Sequence, residues 1–223
     1  MDGKLFSQAI VKYVSGIVLL GVLLFLPAGT FAWWQAWLLL GILFIPMGIA
    51  GFVMMAKAPD LLRKRLNVDE GESEQKTVIA LSGLMFLAAF VLAGLGARFG
   101  WFQLPAWVSW AAAIVFLVAY ALYAEVMREN AYLSRTVEVQ DGQHVVDTGM
   151  YGIIRHPMYS VTLILFLSMP LVLGSLPAFF VLLVYPFIIS KRIANEEQVL
   201  SEGLQGYDDY MKHVKWRLIP HVW

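Results

Sequence analysis

Long apolar runs separated by short polar breaks dominate the first half of the chain. Residues 9–26, 33–56, 77–97 and 106–126 are each nearly free of charge. Each approaches or exceeds the roughly 20 apolar residues that carry a helix across a bilayer core. The second run has only Gln35 as an obviously polar side chain, and Trp33, Trp34 and Trp37 at its start suit an interfacial belt. Trp101, Trp107 and Trp110 mark the same side of the membrane again. A further apolar region, 159–190, carries no charge before Lys191. One straight helix of that length would exceed a hydrocarbon core of about 30 Å. Pro170, Gly174 and Pro177 lie near its middle, where such residues favour a break. The pattern therefore predicts a short helical hairpin, with a single kinked span as the alternative.

Charge separates these two readings. With six passes, the N-terminus with Lys12, 57–76, 127–158 and 191–223 fall on one side and hold 15 of the 16 Lys and Arg residues. Only Arg98 falls on the other. The excess of basic residues marks the rich side as cytoplasmic, and a single final span would put Lys191, Arg192, Lys212, Lys215 and Arg217 outside. The hairpin satisfies the rule, and both termini are then cytoplasmic. The first run lacks a small-residue cleavage site after Leu26 and is followed by further apolar runs, so it reads as a retained helix, not a signal peptide.

Composition agrees with a membrane protein. Hydrophobic residues make up 60% of the 223 and charged residues 14%, against roughly 25% charged in an ordinary soluble domain. Sixteen basic against sixteen acidic residues give no reason to expect nucleic acid. Cysteine is absent, which excludes disulfides, thiolate catalysis and cysteine–zinc sites. His144, His156, His213 and His221 lack the close pairing of a metal site, and no metal is expected. The expected fold is all-α: a single membrane domain over 1–223, with four membrane helices in 1–127. A cytoplasmic loop, the hairpin and C-terminal helices would make up 128–223.

Two cytoplasmic segments have patterns of their own. In 57–76, Leu61, Leu62 and Leu66 among Arg63, Lys64 and Arg65 suit either a short interfacial helix or a solvated loop. In 136–149, Val137, Val139, Val145 and Val146 flank Asp141-Gly142, which predicts a small β-like turn.

Chemistry concentrates where the loop meets the hairpin, in Gly149-Met150-Tyr151-Gly152-Ile153-Ile154-Arg155-His156-Pro157-Met158-Tyr159. Pro157 fits the first turn of a helix, where its missing N–H costs nothing. Singly, the tyrosines read as belt residues, Arg155 as a charge anchor and His156 as a headgroup-level side chain. Together they gather cationic, polar and aromatic groups at one point. Beyond the hairpin, Arg192 and Glu196 are four apart and share a helix face, where an ion pair is the plain reading. The hairpin returns Glu196 to the membrane face of His156.

The stretch from about Gln140 to Pro220 resembles the isoprenylcysteine carboxyl methyltransferase family and its phospholipid methyltransferase relatives. The matching residues are Gly149-x-Tyr151, Arg155-His156-Pro157-Met158-Tyr159, Glu196-Glu197, and Tyr207-x-x-Tyr210 with Val214, Arg217 and Pro220. The resemblance covers about the last third of the chain; Pro59–Leu66 echoes a segment of bacterial members. It implies a membrane methyltransferase using S-adenosylmethionine. Cofactor contacts would come from Gln140, Gln143, His144, Val145, Val146, Tyr151, His156, Pro157, Met158, Tyr159 and Glu196. Many members have His where this chain has Gln143, and its own histidine is His144.

Arg192 would bind substrate and orient a carboxylate acceptor, with Arg217 second as a catalytic cation. A carboxylate needs no general base at neutral pH, whereas an amine would need a proton acceptor such as Glu196 or Glu197. The acceptor would be lipophilic, most simply the carboxylate of a prenylated cysteine or a similar lipid, reached from the membrane. Phospholipid N-methylation, or methylation of another small acceptor, is the nearest alternative. An NADPH-dependent membrane reductase and a non-catalytic membrane protein are the rivals from other classes. If the chain is prokaryotic, its membrane is the inner one.

Overall fold

The structure, a computed structural model, describes residues 3–66, 73–133, 137 and 139–223. Four long helices come first: α1 Gly3–Ala28, α2 Trp34–Lys57, α4 Ser73–Phe99 and α5 Ala106–Glu129, with the short α3 Pro59–Leu66 between α2 and α4. α1, α4 and α5 exceed their predicted apolar runs by a few residues at one end or both, because polar turns extend a helix past the apolar part, and α2 matches its run to within one residue. Within 57–76 a short helix forms, α3; residues 67–72 lie outside the described ones.

The apolar region after His156 divides into α6 Pro157–Val172, α7 Leu176–Leu182 and α8 Tyr185–Gly203, followed by α9 Tyr207–His213. Gly174 turns the chain at φ +70°, a left-handed conformation that costs glycine little. Ser175 then caps α7, its hydroxyl oxygen accepting from the Ala178 N–H at 3.4 Å. The tip is tied to the α4–α5 connection: Leu104 N–H donates to the Gly174 carbonyl at 2.8 Å, and Gln103 bridges Ser175. The hairpin thus reaches from the His156 end of the bundle to the Gln103 end. At 16 residues α6 is only about 24 Å long, so this short leg leaves both its ends close to the polar layers.

Five segments are long and apolar enough to cross a membrane: α1, α2, 76–99 of α4, α5, and Leu176–Gly203, which joins α7 to α8. α6 is the shorter sixth. Their outward faces carry Leu19, Ile45, Phe52, Leu84, Ile114 and Phe187, all exposed. Their inward faces meet on small residues, with Ala36, Ala93 and Ala119 fully buried beside Leu24, Leu39 and Phe116. Apolar outside with small residues at the crossings is how helices pack in lipid, where close backbone approach replaces the hydrophobic drive. The protein is an all-helical integral membrane bundle.

Candidate active site at the open end of the hairpin

At the end away from the Gly174 turn, α6 begins and the polar half of α8 continues out of the apolar layer. Pro157 occupies the first turn of α6, with His156 as the residue before it. The loop before α6 is held against α5. The Thr148 hydroxyl donates to the Glu129 carboxylate at 2.8 Å, and Gly149 sits at φ +52° directly over that carboxylate. A Cβ on residue 149 would lie 2.0 Å from Glu129 Oε2, so any larger residue would push the carboxylate away from Thr148 as well as strain the backbone. The 3₁₀ turn Gly149–Gly152 then buries Tyr151.

Glu197 is the electrostatic centre. Its side chain is 7% exposed and accepts from Arg155 Nε at 2.7 Å, His156 Nε2 at 3.1 Å and Arg217 Nε at 2.8 Å. A carboxylate only accepts, so the Glu197 contact requires a proton on Nε2 of His156. Arg155, itself 8% exposed, also donates to the Val214 and Lys215 carbonyls at 2.8 and 3.0 Å. The N–H groups of Arg155 and His156 donate to the Trp216 and Arg217 carbonyls at 2.8 and 2.9 Å, and Ser160 Oγ donates to that of Leu218 at 2.7 Å. The C-terminal segment is thereby stitched alongside the start of α6.

Glu196, one residue earlier on α8, faces the other way. It accepts from the Tyr159 hydroxyl, and its Oε1 lies 4.0 Å from His156 Nδ1. The Tyr159 oxygen in turn accepts from Arg192 Nε at 2.8 Å. A chain Arg192–Tyr159–Glu196 therefore links the pair that the i,i+4 spacing suggested, with a phenol between them.

These groups line a cleft with three walls. The loop gives Tyr132, Leu133, Val137 and Gln143 to Val146; the start of the hairpin gives Tyr151, Arg155, His156, Met158 and Tyr159. The third wall is Arg192, Glu196 and Leu200 of α8, with Leu204, Tyr207 and Tyr210 beyond it. Of the residues that the resemblance implies, Gln143, His144, Val145, Val146, Tyr151, His156, Met158, Tyr159, Arg192 and Glu196 meet here although up to 53 positions separate them. Gln140, Pro157 and Arg217 do not line the cleft. Gln140 instead holds the loop: its carbonyl accepts from Gln143 N–H at 3.0 Å, closing a tight turn with Gly142 at φ +70°. The small turn expected around Asp141-Gly142 is present; no strand forms among the described residues, and 136 and 138 lie outside them. Pro157 is buried in α6, and Arg217 is committed to Glu197 and stacks 5.5 Å from the Trp223 ring.

Tyr132 was not singled out by sequence, whereas Arg155, Glu197, Tyr207 and Tyr210 entered as matching residues, Glu197 also as an alternative proton acceptor, and none of them as a cofactor or substrate contact. Tyr132 bonds His144 Nδ1 at 2.8 Å and so fixes the histidine that stands one position off the family pattern. Burial pushes the hydroxyls of Tyr151, Tyr207 and Tyr210 well above the ordinary phenol range, and nearby Glu197 and Glu196 add to this at Tyr207. All three are neutral phenols at physiological pH.

Fold and site together define a class: a polytopic helical membrane protein with one polar cleft where the hairpin opens. The sequence model of the isoprenylcysteine carboxyl methyltransferase family matches residues 106–202, from the start of α5 to the last turn of α8. This is the family that Arg155–Tyr159 and Glu196-Glu197 resemble. The chain is also 31% identical over 91 residues to a Delta(14)-sterol reductase of Mus musculus, across 40% of this chain and 22% of that protein. The match thus spans about a fifth of the curated relative's length.

Proposed function

We propose that this protein is a membrane methyltransferase that uses S-adenosylmethionine, with residues 128–223 forming the reacting half. The observation that carries the reading is the meeting of His156, Tyr159, Arg192 and Glu196 in one cleft within the segment that matches the methyltransferase family. The lining suits the cofactor's chemistry. Glu196 and the tyrosine rings offer a carboxylate and π faces to a cation, while Val145, Val146, Leu200 and Leu204 offer apolar walls to a flat ring system. The free space is about 100 Å³, below the roughly 300–1,000 Å³ of a small-molecule site. A bound cofactor therefore displaces part of the wall.

When bound, the cofactor supplies an already activated methyl group. The protein's share is to hold it in line with the acceptor and exclude water. Arg192 orients a carboxylate acceptor, and Glu196 accepts a proton where the acceptor is an amine. The acceptor is lipophilic, a prenylated cysteine or similar lipid acid, and enters from the membrane. Arg217 is then a scaffold residue instead of a second catalytic cation, because its guanidinium already serves Glu197.

Titration of the detergent-purified protein with S-adenosylmethionine and, separately, NADPH tests the reading. Heat with the first and none with the second is expected. Binding of NADPH alone would favour the reductase reading, which the sterol reductase similarity supports. Arg192→Ala should leave cofactor affinity within a few-fold while lowering kcat/KM for the acceptor.

The same reading includes sidedness. The N-terminal end of α1 touches the end of α3 through Lys12 and the Leu66 carbonyl, and the cleft lies at the end opposite Arg98 and Gln103. With the basic end cytoplasmic, reporter fusions after Gly174 and at Trp223 should report opposite sides. Equal sidedness would overturn the six-pass topology.

A further inference from the structure

Two tyrosines three residues apart on α9 line the cleft, and their hydroxyls are treated very differently. Tyr210 donates to the Tyr151 carbonyl at 2.7 Å, a bond that joins α9 to the turn before α6. Tyr207 is 4% exposed, and its hydroxyl is buried with no hydrogen-bond partner among the described residues. The two rings touch with centroids 5.7 Å apart. A buried hydroxyl left unpaired lowers stability, and native structures pair nearly all such groups. Phenylalanine would fill the same space without that cost.

A serine in this position could turn its hydroxyl back to a carbonyl of its own helix. Tyr207 cannot, because a rigid ring carries its oxygen far from its own backbone. Burial keeps the phenol protonated, so the group is an unpaired donor on a residue that lines the cleft. The neighbouring Tyr151 hydroxyl is also buried and forms no hydrogen bond of acceptable geometry, although the Asn130 side chain is close.

We propose that the Tyr207 hydroxyl is a cofactor-binding group, whose missing partner is a hydrogen-bond acceptor on the bound methyl donor. The inference rests on the S-adenosylmethionine reading of the cleft. It assigns to α9, which lies beyond the family-matched residues 106–202, a direct contact with the ligand. Tyr210, its neighbour, serves the fold.

The test compares Tyr207→Phe and Tyr210→Phe with the wild type, by thermal melting of the ligand-free protein and titration with S-adenosylhomocysteine. Tyr207→Phe should melt at or above the wild-type temperature yet bind S-adenosylhomocysteine about 3- to 10-fold more weakly, the worth of one hydrogen bond. Tyr210→Phe should melt lower, because it removes a bond that is made. Should Tyr207→Phe melt lower in the manner of Tyr210→Phe, its hydroxyl is already partnered and the assignment fails. Wild-type binding matched by an unimpaired Tyr207→Phe also overturns the assignment, leaving the cofactor reading intact. A wild-type protein that binds no S-adenosylhomocysteine defeats the cofactor reading and the Tyr207 assignment together.

Discussion

Glu197→Ala should destabilise the protein by about 3–5 kcal/mol, the range for removing one partner of a buried ion pair. The side chains of Arg155 and His156 are nearly buried, and both direct donors at Glu197 Oε1. Without that carboxylate, two buried donors lose their acceptor, and Arg155 keeps only the two carbonyls at 214 and 215. Arg217 adds less, because its side chain is 35% exposed and water can replace the carboxylate. Glu197→Gln should fall between the two, since the amide oxygen can still accept while the countercharge is gone. Thermal melting in detergent measures the loss. A Glu197→Ala protein that melts like the wild type but has lost activity would place Glu197 in the reacting site instead of beneath it.

This division between adjacent glutamates was beyond what the sequence could display. Apolar run length and the 15-to-1 split of basic residues predicted the membrane helices and the hairpin, because both are sums over many residues and tolerate local error. Which of two neighbouring carboxylates faces a cleft depends on the rotation of α8 by about 100° per residue, and that is set by packing against α4 and α6. Arg155 illustrates the same limit. At a membrane boundary it reads as a charge anchor, but its guanidinium turns inward because Glu197 and two tail carbonyls await it. Arg217 was read as a second catalytic cation from its type and motif; its pairing with Glu197, 20 residues earlier on α8, is a contact that the motif does not display. Tyr132 carried no signal, since its role exists only through the fold of the loop around His144.

Glu196→Ala should have the opposite profile to Glu197→Ala: folding nearly intact, cofactor affinity heavily reduced. Its side chain is 25% exposed, so the carboxylate is partly hydrated and the protein does not depend on it for charge balance. The structural cost is the Tyr159 hydroxyl, which loses its acceptor, worth about 1 kcal/mol. For the cofactor the loss is larger. Glu196 is the cleft's own carboxylate, the group able to offset a positive charge in a space that Arg155 and Arg192 otherwise make cationic. Truncating one partner of a desolvated charge pair costs about 2–5 kcal/mol, or roughly 30- to 5,000-fold in affinity for S-adenosylmethionine. Glu196→Gln separates charge from hydrogen bonding. If attraction to the cofactor's cation matters, the amide should remain as poor as alanine, although it can still accept from Tyr159. Restored binding in the Gln variant would reduce Glu196 to a hydrogen-bond acceptor. Undiminished affinity in the Ala variant would remove it from the site, and early melting in the manner of Glu197→Ala would make both glutamates structural.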